Sequence, residues 1–254
     1  MSTVNEKMTT ICNNIRAKTG GTAPLGLDEI ATSIDEVYEV GKTAEHDEFW
    51  NNYIGNGNLS YAPYHFAGSG WNNLNFRPNK NLIFRKAATG LFQQSNIRNL
   101  KKCLEDCNVT LDISKSTNLN YAFAYGKIQY LPKISIISAD ANTQYLCGET
   151  NDGSYLISID EIEIAETNTF VGSFNYCKNL THVIFTGTLA TNGLNLSWST
   201  QLDHESLLSI LNCLKDYSTD TSGTDWFITI GADNIAKLSE EEQLIATNKG
   251  WDIR

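Results

Sequence analysis

The chain has 254 residues, a formal net charge of −10 and many aromatics (5 Trp, 11 Tyr and 10 Phe), with only 19% of its residues charged. This is the composition of an ordered globular protein, and its acidity excludes a surface that tracks nucleic-acid phosphates. No run approaches the roughly 18 apolar residues needed to span a bilayer, so membrane insertion is not expected. Nor does the N-terminal stretch have the uninterrupted apolar core of a signal peptide.

Residues 3–18 place Val4, Met8, Ile11 and Ile15 on one helical stripe, and residues 27–37 do the same with Leu27, Ile30, Ile34 and Val37. Lys18-Thr19-Gly20-Gly21 ends the first helix and Pro24 lies in the connector. Stripes this narrow suit either an intramolecular hairpin or an intermolecular seam. Nothing else in the sequence would cover the second side of a hairpin, which favours oligomeric contact. Residues 43–54 read as a short helix presenting Phe49, Trp50, Tyr53 and Ile54, expected to cap the body that follows.

That body is organised by a module built on Phe66, Phe92, Phe123 and Phe174. Four residues before each Phe is an apolar residue (Ala62, Ala88, Leu119, Phe170), and three after it is a small one (Ser69, Ser95, Gly126, Cys177). Large apolar residues follow, Ile97, Ile128 and Leu180 and then Leu100, Leu131 and Val183, matched after Phe66 by Trp71 and Leu74. The −4/0 pairing predicts a single helical turn. The gap from Phe123 to Phe174 is about twice a unit and predicts a degenerate copy near Tyr145-Leu146-Cys147. Short strands are expected at 81–84, 109–113, 134–137 and 183–185. The apolar parity slips between Ile159 and Ile162, which implies a bulge or two strands.

From residue 194 the pattern becomes β/α: a strand at 194–198, then a helix capped by Asp203 with Leu207, Ile210, Leu211 and Leu214 on one face. A strand at 226–230 follows. Ser239-Glu240-Glu241-Glu242 forms a capping box for the next helix, and a last strand runs over 251–253.

The run Ile15-Arg16-Ala17-Lys18-Thr19-Gly20, followed by Pro24-Leu25-Gly26-Leu27-Asp28-Glu29-Ile30-Ala31, resembles the N-terminal segment of phage and prophage tail proteins of gut Gram-positive bacteria. Tyr64 to Gly68, Trp71-Asn72-Asn73, Leu202 to Leu214 and Ile235 to Trp251 are similar to later parts of the same proteins. Ser173-Phe174-Asn175-Tyr176-Cys177 with Leu180 resembles the core of BspA-like leucine-rich repeats, although the other copies replace its Cys by Ser or Gly.

The resemblance implies an α+β fold: a BspA-like leucine-rich-repeat β-solenoid with short strands and helical turns. The expected divisions are a helical attachment and oligomerisation segment (1–42), the solenoid (43–200) and an α/β C-terminal cap (201–254). It further implies a non-enzymatic structural protein of the tail or baseplate, assembled in the host cytoplasm as a homotrimer. Its N-terminal helices would contact other tail proteins, and its body a host-surface glycan or protein. A cell-surface adhesin and a polysaccharide depolymerase are the alternatives.

Four histidines (His46, His65, His182, His204) and six cysteines fall at no metal or triad spacing, so no metal or cofactor is expected. A depolymerase would need paired carboxylates; Glu161 and Glu163 are the best pair, and they are also what the solvent face of a strand carries. The remaining candidates are aromatics on turns. Tyr125 and Tyr176 lie two residues after a module Phe and are expected to point outward, with Tyr130 and Trp198 as further receptor-facing candidates. Ordinary packing against a neighbouring turn is the alternative for Tyr125 and Tyr176.

Overall fold

The computed structural model describes residues 58–61, 64–139, 141–149 and 155–254. The chain divides into two units, Met1–Asn56 and Gly57–Arg254, and the description below concerns the second. The expected stripes Val4, Met8, Ile11, Ile15 and Leu27, Ile30, Ile34, Val37, and the helix over 43–54, lie outside the described residues.

Apolar residues alternating with polar ones make the longer strands. Strand β2 (Leu82–Ala87) buries Leu82, Phe84 and Ala87 while Arg85 and Lys86 face solvent. It pairs in parallel with β1 (Asn58–Tyr61) and β3 (Leu111–Asp112). A second parallel sheet joins β4 (Tyr130–Leu131), β5 (Ile134–Ile136), β6 (Ser158–Ile164) and β7 (His182–Gly187), all pairing on β6. Its register shifts between Ile159 and Ile162, opposite Pro132, which separates β4 from β5 and has no amide to donate. The parity slip in the sequence is therefore a bulge. A third sheet pairs β8 (Phe227–Ile228) with β9 (Asp252–Ile253).

Four helices complete the described residues: α1 (Leu100–Asp106), α2 (His204–Cys213), α3 (Ala232–Ile235) and α4 (Glu240–Asn248). Asp203 accepts from the Ser206 amide to cap α2, and Ser239 with Glu242 forms the full capping box of α4. Leu207, Ile210, Leu211 and Leu214 are all buried.

The expected α+β leucine-rich-repeat β-solenoid is corrected by this architecture. Among the described residues the fold is mixed α/β, with small parallel sheets and four helices, and the strands form three separate sheets instead of one running ladder. No pairing forms between β3 and β5; β3 is only two residues long, and its neighbour is broken by proline. Residues 194–198 are not a strand but a turn preceded by a single bridge at Asn195. Leu74, expected to point inward, is 81% exposed, and Phe76 fills the core beside Phe66.

The module itself is not a helical turn either. It is a pair of tight turns, each with a left-handed residue at its third position. In the Phe92 copy the Leu91 amide donates to Ala88 across Gly90 (φ 59°), and the Ser95 amide donates to Phe92 across Gln94 (φ 59°). Positive φ recurs at the same two places, at Tyr121 and Tyr125 around Phe123 and at Gly172 and Tyr176 around Phe174.

Successive copies stack through their turn amides. Gly90, Phe92 and Gln94 donate to Asn120, Ala122 and Ala124 at 2.7–3.1 Å, and Phe123 and Tyr125 donate to Leu146 and Gly148. Tyr145, Cys147 and Glu149 then donate to Val171, Ser173 and Asn175. This register puts Cys147 in the Phe position, in the place where the degenerate copy was expected. Inside the stack Phe92 lies between Phe66 (5.2 Å) and Phe123 (5.8 Å), with the rings nearly parallel. Near the C-terminus Trp251 is 1% exposed, donates its indole N–H to the Lys215 carbonyl and packs against Tyr217.

Phe123 is 2% exposed, so Phe123→Ala should lower unfolding free energy by about 3–5 kcal/mol in urea denaturation. A loss under about 1 kcal/mol would place the ring at the surface.

Candidate functional site

The turn stack displays two outward columns, two residues before and two residues after the module's core position. The later column runs Gly68, Gln94, Tyr125, Glu149 and Tyr176. Trp198 extends it: Ser199 donates its hydroxyl to the Cys177 carbonyl at 3.0 Å, which sets Trp198 beside Tyr176 with ring centroids 4.5 Å apart. The earlier column runs Tyr64, Gly90, Tyr121, Tyr145 and Gly172. Tyr121 and Tyr145 stack at 5.1 Å and 8°, and Tyr125 lies 5.6 Å from Tyr121.

Of the four residues singled out in the sequence, three therefore share this face. Tyr176 touches Trp198, Tyr125 belongs to a tyrosine cluster with Tyr121 and Tyr145, and Glu149 occupies the column position between the two groups. Tyr130 is elsewhere. It is half-buried on β4, paired with Ser158, and no ring contact among the described residues joins it to the turn aromatics.

Backbone strain marks these tyrosines. Tyr64, Tyr121, Tyr125, Tyr145 and Tyr176 all have φ between 54° and 60°, a conformation that costs an L-residue about 1 kcal/mol or more. The same columns use glycine at 68, 90 and 172, so backbone geometry alone does not call for tyrosine. Some of the rings serve packing: a Cβ added at Gly90 would meet the Tyr64 ring, and one at Gly172 would meet Tyr145. Tyr125, Tyr176 and the 40% exposed Trp198 add an aromatic surface open to solvent.

Glu149 is a buried carboxyl, 7% exposed, and burial pushes its pKa up to about 8. The carboxyl interacts electrostatically with Tyr125 and with the thiols of Cys147 and Cys177, whose pKa values burial also raises. Glu149 and Tyr145 escaped the sequence reading because the copy containing Cys147 has no Phe to mark its register, and Tyr121 because that reading counted only the position two after the core residue.

The strand side of the molecule has a different chemistry. Lys133 pairs with Glu161 at 2.9 Å and Glu163 at 3.3 Å, Thr186 donates to Glu161, and Ser135 donates to Glu163. These hydrogen bonds hold both carboxyls below the usual range, the opposite of what a general acid needs. Nearby, a groove of about 500 Å³ opens between α1, β3 and β5 over Leu104, Leu111, Ile113 and Ile137. Its rim lysines, Lys101 and Lys133, are held by Asp160 and Glu161. Among the described residues no cluster of His, Cys, Asp or Glu could hold a metal ion.

Compared with known proteins, the chain matches no family model, no curated protein and no solved structure.

Two predictions follow from this geometry. Tyr125→Gly removes a half-buried ring and relieves a left-handed residue, two effects of opposite sign, so its unfolding free energy should stay within about 1 kcal/mol of wild type. A larger loss would make the ring structural. Glu149, with its pKa raised from 4.5 to about 8, binds its proton more tightly when folded, so its contribution to stability falls as pH rises between those values. Urea denaturation should find Glu149→Gln and wild type alike near pH 4, below the unfolded value, with the variant the more stable at pH 9. A pH-independent difference would refute the burial of this carboxyl.

Proposed function

We propose that the chain is a non-enzymatic protein of a phage or prophage tail or baseplate that meets the host surface with its turn face. The observation that carries this reading is the aromatic column. Tyrosines are kept in left-handed turn positions that glycine fills elsewhere, and Tyr176 is joined to an exposed tryptophan at 4.5 Å. Strain at a surface position is retained where the side chain has a use outside the fold, and flat aromatic faces suit the apolar faces of sugar rings. The residues at 15–20, 24–31, 202–214 and 235–251 that resemble tail proteins support the setting. In this reading the segment 1–42 joins three copies and attaches them to neighbouring tail proteins, and the virion is the site of action.

The test is binding of labelled protein to cells or isolated envelopes of the host. Replacing Tyr176 and Trp198 together by Ala should abolish binding and leave the melting temperature close to wild type. Undiminished binding by that variant would overturn the reading, and so would release of new reducing ends from envelope glycan.

A further inference from the structure

Two copies of the module carry the same extension. Phe123-Ala124-Tyr125-Gly126-Lys127 and Phe174-Asn175-Tyr176-Cys177-Lys178 each place a left-handed tyrosine two residues after the core Phe and a lysine two residues further on. The other columns put Gly70, Asn96 and Thr200 where these lysines stand. Lys127 and Lys178 are both exposed, and the Lys178 ammonium lies 5.7 Å from the centroid of the Trp198 ring. On a chain of net charge −10, a repeated pairing of aromatic and cation on one face selects for a ligand that is both a ring and an anion.

We infer that the turn face binds an anionic glycan polymer, bearing carboxylate or phosphate, through two related subsites, one formed by Tyr125 with Lys127 and a larger one by Tyr176 with Lys178 and Trp198. The inference rests on the reading of the turn face as the binding surface and adds the class of ligand. One copy, the one centred on Cys147, separates the subsites, so strand spacing sets them roughly 10 Å apart along the stack. That is a separation a single polymer chain can bridge, so occupancy of one subsite raises the effective concentration at the other. Glu149 occupies the intervening position, and its burial keeps it largely protonated at neutral pH. The carboxyl between the subsites therefore does not repel the ligand.

The test titrates the full chain, followed by tryptophan fluorescence, with oligogalacturonate, with poly(glycerol phosphate) and with neutral maltohexaose. One of the two anionic probes should bind more tightly than the neutral one, and which of them does identifies carboxylate or phosphate as the anion. Affinity should fall when ionic strength is raised from about 0.01 M to about 1 M, which shortens the screening length from about 30 Å to about 3 Å. Lys127→Gln and Lys178→Gln should each weaken binding about fivefold, Lys178→Arg should retain most of it, and Trp198→Ala should lose roughly tenfold. Failure of both anionic probes to bind overturns the inference. Host-surface binding that is lost in Trp198→Ala, yet ignores salt and both lysine substitutions, also overturns it and leaves the turn-face reading standing. Binding indifferent to all three substitutions overturns both.

Discussion

The amide ladder between successive turns is the constraint on which the rest depends. A parallel stack needs the chain to reverse within a few residues and still present N–H groups to one neighbour and carbonyls to the other. The left-handed residues before and after the core Phe residues achieve this: amides of one copy, such as Phe92 and Phe123, meet carbonyls of the next at Ala122 and Leu146. Once the turns are in register, the Phe66, Phe92 and Phe123 rings stack inside and the two outward columns are aligned outside.

That alignment makes a surface out of side chains far apart in sequence. Tyr176 and Trp198 come together because Ser199 is tied to the Cys177 carbonyl, and Tyr121 meets Tyr145 because each precedes its core residue by two. The strand side shows the contrast. There Lys133, Glu161, Glu163, Ser135 and Thr186 satisfy one another, and little polar capacity remains for a ligand. The turn side leaves aromatic faces and lysines toward solvent, and the functional proposal lives on that asymmetry.

Much of the local structure was legible in the sequence because its signals are short-range. The caps at Asp203 and Ser239, the buried face of α2, the slip at Ile159–Ile162 and the copy hidden at Cys147 all follow from spacing or from the oxygen of a capping side chain. What failed depended on pairing between distant segments. Whether β3 joins β5 is decided by a two-residue strand meeting a strand broken at Pro132, and periodicity carries no information about that. The helical turn was misread for a related reason: apolar residues four apart also satisfy two consecutive tight turns, and only Gly68, Gly90 and Gly172 hinted at positive φ. Of the candidate site, Tyr125 and Tyr176 were found by counting from the core residue, and Trp198 was named as a further aromatic without a register to place it. Tyr130 was misplaced on the turn face, and Glu149 was missed because its copy has Cys147 instead of a Phe.

Hydrogen exchange with and without a bound anionic glycan polymer tests the central claim most directly. The claim is that the stacked turns present one binding face. Protection should rise at the turn amides around 121–126, 145–149, 174–178 and 196–199, and stay unchanged along β2 and β6. Protection confined to the groove over Leu104 and Ile137, or to the face carrying Lys133 and Glu161, would contradict it.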